Sequence, residues 1–180
     1  MTHLNGSKKL RDKYLRKSGQ LWLDCGCGHH KTPGAVGMDR RKVEGIDVVH
    51  DLAVLPYPFP NELFNRVILS HVMEHLNPKY HVEIVDEIWR ILKVGGILAL
   101  AMPYAGSEGH WQDPTHIKPW NRDTAWYFDP SHPSQLYDVY RPKPWKVAAN
   151  SYQMNGNLEI VLEKLTEKEG KALFAQAQGK

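Results

Sequence analysis

The chain contains no apolar run approaching the roughly 18 residues of a membrane-spanning helix, so none of its 180 residues is expected to form one. Its first twenty residues, MTHLNGSKKLRDKYLRKSGQ, lack the apolar centre of a secretory signal, and a cytoplasmic protein is the expectation. Cysteine is almost missing. Cys25 and Cys27 stand one residue apart, too close for an ordinary disulfide framework, which fits a reducing compartment. Internal repeats and low-complexity tracts are also absent.

What is present is ordinary in bulk: 42% hydrophobic and 24% charged residues, the balance of a globular protein. The length suits one domain spanning 1–180. Formal net charge is +3, and much of it sits between Lys8 and Lys17, where six basic residues face one acid, Asp12. Residues 1–18 read as a basic N-terminal helix, more simply a solvated face than a phosphate-binding one.

Hydrophobic patterning gives an α/β order. Gln20–Asp24 (QLWLD), Ala35–Asp39 (AVGMD) and Ile46–Val49 read as short strands, and Arg66–Ser70 (RVILS) as a strand buried on both faces. From Pro78 to Leu92, Val82, Val85, Ile88, Trp89 and Leu92 recur at helical spacing, with Gly95-Gly96 as the stop. Ile97–Ala101 is the next strand. Strand, helix, strand indicates a right-handed crossover and a mostly parallel sheet. Residues 104–144, rich in proline and tryptophan, read as an ordered insertion, a lid or an acceptor-pocket segment. Asn155-Gly156 between two alternating runs predicts a closing antiparallel hairpin, and Thr166 with Glu169 predicts a capping box.

The run LDCGCGHHKTPGAVGMD admits two readings. Cys25, Cys27, His29 and His30 are competent zinc ligands, but their spacing is odd and no remote cysteine completes a set. Alternatively Gly26 and Gly28 let the backbone approach a ligand while Asp39, ending the next strand, grips a ribose diol. A pyrophosphate cradle is not indicated, because no third glycine follows at the required spacing.

The order of LDCGCG, GMD, VVHDLAVLPYPF, RVILSHVMEHL and EIWRILKVGGILALAMP resembles the class I S-adenosylmethionine-dependent methyltransferases, particularly the type-11 methyltransferase domain, over residues 20–103. The resemblance implies a Rossmann-like three-layer sandwich with an antiparallel C-terminal hairpin and S-adenosylmethionine as cofactor. It further implies that Asp24, Gly26 and Gly28 line the methionine and ribose side, and that Asp39 binds the ribose hydroxyls. By the same resemblance Asp51 and Leu52 read the adenine, and Ser70 and His71 sit beside the sulfonium. Two departures stand out. The intervals from Gly28 to Asp39 and from Asp39 to the strand before Asp51 are too short for full crossovers, so the first helices are expected to be shortened or lost and cofactor affinity to be modest. Asn65 replaces an acid usual before the fourth strand.

Methyl transfer is an in-line displacement that requires positioning and water exclusion, and a base serves when the acceptor is a hydroxyl or protonated amine. His71 and His116 are the candidates. Tyr104, His110, Trp111 and Asp113 are expected to bind substrate, with Trp120 and Trp126 as further apolar walls. A small-molecule acceptor is favoured. The alternatives are a nucleic-acid acceptor reached by the basic N-terminal segment, and a cofactor-binding module without turnover. The remote alternative is a zinc hydrolase using His71-x-x-Glu74-His75, which spells the inverted zinc-protease pattern. No metal belongs to the favoured reading, and the sequence leaves open whether His110, Asp113 and His116 hold one.

Overall fold

The computed structural model describes residues 12–13 and 19–179. The expected basic helix over 1–18 lies outside the described residues except for Asp12 and Lys13, which are helical. Seven strands form one sheet: β1 (Trp22–Cys25), β2 (Val36–Asp39), β3 (Val48–Val49), β4 (Phe64–Ser70), β5 (Leu92–Pro103), β6 (Trp145–Tyr152) and β7 (Asn157–Lys164). Their order is β3-β2-β1-β4-β5-β7-β6. β1 through β5 run parallel, and β7 inserts antiparallel between β5 and β6. This is the mostly parallel sheet with a closing antiparallel hairpin that the sequence patterning predicts, in the Rossmann-like form that the family resemblance implies.

The register assigns the two faces. Cys25 pairs with Leu69, Leu69 with Leu100 and Leu100 with Ile160, so these side chains share one face, as do Val67, Leu98 and Leu162. All are buried. Helix α1 (His81–Ile91) contributes Ile84, Val85, Ile88 and Ile91 to the same core. Its sequence-predicted stripe is therefore rotated: Trp89 is only partly buried, and its indole N–H donates to the carbonyls of Pro144 and Leu165 at 3.1 and 3.0 Å. The helix also stops earlier than its glycines suggest. Leu92 already pairs with Phe64 as the first residue of β5, and Gly95-Gly96 fall in an irregularity of that strand.

The crossovers over 26–35, 40–47 and 50–63 contain no helix, so the first helices are lost. Side chains hold these loops instead. Glu87 on α1 accepts from the Tyr57 amide at 2.6 Å, and Arg90 donates to the carbonyls of Tyr57 and Phe59 and to Asn61. Tyr57 and Phe59 thereby become core plugs. Asn65, in place of the usual acid, stitches strands: its side-chain oxygen accepts from the Leu21 amide at 3.0 Å.

The insertion carries two one-turn helices, α2 (Glu108–Trp111) and α3 (Tyr137–Tyr140), and a 3-10 stretch at Arg122–Tyr127. The chain ends in α4 (Glu167–Gln178), opened by the predicted Thr166/Glu169 capping box. Gly170 lies in α4 because a Cβ there would meet Pro144 at 2.3 Å. No helix among the described residues is long and apolar enough to cross a membrane.

Candidate active site

In an open parallel sheet, ligands bind beyond the carboxyl ends of the strands where the strand order reverses. Here β1 lies between β2 and β4, and a cleft of about 690 Å³ opens beyond their ends. Gly26 follows β1, Asp39 ends β2, Asp51 and Leu52 follow β3, and His71 and Val72 follow β4. All of them line the cleft. The far wall is Pro114, Thr115 and Ile117 from the insertion.

Gly26 has φ +70°, and a Cβ on it would lie 2.6 Å from Val72. No other residue type fits this bend without displacing β4's exit. Asp39 is buried; its Oδ2 accepts from the Gly28 amide at 2.9 Å, and its Oδ1 accepts from the amide and Nε of Arg41 at 2.8 and 3.2 Å. Burial pushes its pKa up, but these donors prevail and hold it below the usual carboxylate value. An ionised acceptor thus lines the cleft. Asp51 Oδ1 accepts from the Ala53 amide at 2.9 Å.

Other sequence candidates lie outside this wall. Asp24 is buried on the opposite face from Cys25 and accepts from the Thr32 amide at 2.7 Å, so it shapes the glycine loop from behind. The amide of Gly28 is committed to Asp39, and Ser70 is an exposed strand end.

A second cavity, about 370 Å³, adjoins the first through His71 and His75, which line both. Its wall also includes Glu74, Gln112, Asp113, His116 and the β6–β7 turn at Asn155–Asn157. The expected aromatic wall is a correction. Trp120 is buried, with its indole N–H donating to Nδ1 of His81 at 3.2 Å. Trp126 stacks on His132, Tyr104 packs on Tyr152, and Trp111 is largely exposed with its N–H on the Ala105 carbonyl. Large aromatic surfaces gain most by burial against one another, and the space left over is lined by polar groups. His110 is buried; burial and then neighbouring His116 push its pKa below the usual imidazole value. Its carbonyl accepts from Nδ1 of His116 at 2.8 Å.

His71 has φ +55°, a left-handed backbone rare for histidine. Its Nδ1 lies 3.4 Å from Oε1 of Glu74, and its side chain is half exposed. His75 belongs to a short 3-10 turn, Met73–His75. His71 and His75 therefore do not share the helical face that the inverted zinc-protease pattern needs. Burial and then Asp24 raise the Cys25 pKa well above its usual value and push that of Cys27 up to about 11, and no cysteine joins a cluster of metal-ligating side chains among the described residues.

Arg40, Arg41, Glu74, His75 and Thr115 are site residues that sequence reasoning does not pick out as such. The Glu74-His75 pair carried a signal, read there as part of another pattern. Thr115 carried none.

Residues 31–100 match the sequence model of a family described as methyltransferase domain. No curated protein matches. Among solved structures, a SAM-dependent methyltransferase from Archaeoglobus fulgidus is 18% identical, with a TM-score of 0.58 over 91% of this chain and 95% of that one. A 1,6-didemethyltoxoflavin-N1-methyltransferase from Burkholderia thailandensis, with bound 1,6-didemethyltoxoflavin and S-adenosylhomocysteine, is 12% identical, with a TM-score of 0.56 over 91% of this chain and 78% of that one. A 16S rRNA adenine methyltransferase from Catenulisporales acidiphilia is 11% identical, with a TM-score of 0.59 over 90% and 91%. The matched segment contains the Asp39, Asp51 and His71 walls of the cleft, and the likeness to these solved structures is one of fold: residues 31–100 are similar to a methyltransferase domain, set in a Rossmann-like sheet.

Proposed function

We propose that the chain methylates a small-molecule acceptor at oxygen or nitrogen, with the methyl donor in the larger cavity and the acceptor in the smaller. The observation that carries this reading is the pair of adjoining cavities with His71 on their common wall. The residues present fit S-adenosylmethionine: a side-chain-free bend at Gly26 on the cleft floor, an ionised Asp39 for the ribose, and Asp51 with Leu52 for the adenine end. When bound, that group supplies an electrophilic methyl on sulfur.

Asp39 anchors the ribose, and Asp51 accepts from an exocyclic amine. The insertion's Pro114–Ile117 wall excludes water from the seam. His71 would take the proton of the acceptor's hydroxyl or amine as that group is methylated. Asp113 and His116 face the acceptor. The polar lining of the acceptor cavity favours a hydrophilic metabolite over a flat apolar one.

The test is calorimetry with S-adenosylhomocysteine followed by turnover against a panel of hydroxylated and amino metabolites. His71→Ala is expected to lower turnover by about two to three orders of magnitude while leaving S-adenosylhomocysteine affinity within about twofold. Full turnover in His71→Ala overturns its role. An RNA substrate preferred over every small molecule, with steep salt dependence, overturns the acceptor class.

A further inference from the structure

We propose that Glu74, His75 and His116 form a binding site for one divalent transition-metal ion at the wall of the acceptor cavity. One ligand-capable atom from each lies within 4.8 Å of the others. Two of the residues leave β4 together, and the third arrives from the insertion, whose Ile117 amide donates to the Glu74 carbonyl at 2.7 Å.

Glu74 supplies the independent observation. Its side chain is 1% exposed, and neither carboxylate oxygen has a hydrogen-bond partner. Its nearest cationic candidate is His71 Nδ1 at 3.4 Å. A buried carboxylate without donors is costly, and here it faces a cavity rather than a packed core.

The histidines are prepared as ligands. His116 Nδ1 donates to the His110 carbonyl, which has no proton to offer, so Nε2 is the nitrogen with the free lone pair. The Thr115 hydroxyl gives its one proton to Asp113 Oδ1 at 2.7 Å, so toward His75 Nδ1, 2.9 Å away, it only accepts. His75 therefore also carries its proton on Nδ1 and offers Nε2. Outer hydrogen bonds from ring N–H to a carbonyl or a carboxylate-backed hydroxyl are the arrangement that orients metal-binding histidines.

Two imidazoles and one carboxylate suit zinc, iron(II), cobalt(II) or manganese(II). Further coordination positions would open on a cavity lined by Gln112, Asn155 and Asn157. A metal there would bind the acceptor's oxygen or nitrogen and lower its pKa, leaving His71 as the base. That use rests on the proposed methyl transfer; the binding itself does not.

The test uses the full chain stripped by chelator and titrated with cobalt(II), read by visible d–d absorption, and with zinc, read by calorimetry. One ion per chain is expected. Glu74→Gln and His116→Ala should each weaken binding at least about tenfold, and Thr115→Val, which frees the His75 tautomer, by roughly tenfold. A His29→Ala/His30→Ala control should bind as the parent does. Absence of stoichiometric uptake overturns the site, as does uptake lost in the control but kept in Glu74→Gln and His116→Ala. S-adenosylhomocysteine affinity of the stripped chain separates the two readings. Donor binding without metal uptake sinks this inference alone; metal uptake without donor binding sinks the methyl-transfer reading alone.

Discussion

The donor half and the acceptor half of the cleft are built by opposite means. On the donor side three crossovers have lost their helices, and carboxylates fix the loops: Asp24 on Thr32, Asp39 on Gly28 and Arg41, Glu87 with Arg90 on the Tyr57–Asn61 segment. On the acceptor side β4 and β5 keep a helical crossover, and the insertion is anchored by buried Trp120 and Phe128. Packing holds one half, and directed hydrogen bonds hold the other. In the proposed reading Asp39 would hold both the loop and the donor's ribose, so donor affinity is expected to be modest, with Kd above about 1 μM. Sub-micromolar calorimetric binding would contradict this.

Breaking the donor side should cost most where one side chain holds several backbone groups. Arg90→Ala leaves the buried Glu87 carboxylate with the Tyr57 amide alone and takes the arginine donor from the Phe59 and Tyr57 carbonyls, and should lower unfolding free energy by about 2–3 kcal/mol in urea titration. An effect below about 0.5 kcal/mol would mean the loop holds itself. Asp39→Ala should weaken S-adenosylhomocysteine binding by about 2 kcal/mol, roughly thirtyfold, beyond the stability lost by freeing the Gly28 and Arg41 amides. Gly26→Ala should cost about 1–2 kcal/mol, and adding Val72→Ala should return part of it. A strictly additive double variant would show that the clash at 2.6 Å is relieved elsewhere.

The smallest effect sharpens the comparison from the packed side. Asp86, on α1, accepts from the Lys143 amide at 2.7 Å, yet burial pushes its pKa up to about 6. Its folded pKa lies above its unfolded one, so its contribution is present at low pH and is lost as pH rises through about 6. The thermal midpoint of the parent should gain on that of Asp86→Asn between pH 7 and pH 5. A constant gap would remove the effect.

Much of this was legible in the sequence because it is local. Short apolar runs bounded by turns gave β1, β2, β4 and β5, Asn155-Gly156 gave the hairpin, and short intervals after Gly28 and Asp39 announced missing helices. Asp39 was a candidate because it ends a predicted strand and His71 because the family resemblance implies it; both line the cleft beyond the strand ends. What was not legible depends on side chains meeting from afar. Tryptophan content marks the insertion as ordered but not which way its rings turn; Trp120 turned inward to His81, and the cavity became polar. Asp24 looked like a cofactor residue until Thr32 folded back onto it. Glu74 reads as an ordinary acid, and only tertiary burial makes it unusual.

The insertion is tied down at both ends of its 106–116 stretch, by the Ala105 amide on the Trp120 carbonyl at 2.9 Å and the Ile117 amide on Glu74. Such a loop resembles a handle more than a hinged door: its rim can flex, but its feet stay put. Gln112, Asp113 and His116 ride on that rim, so an arriving acceptor meets side chains already confined to a short arc. Little ordering entropy is left to lose on closure, and selectivity among acceptors should follow from substitutions on the arc rather than from motion of the whole insertion.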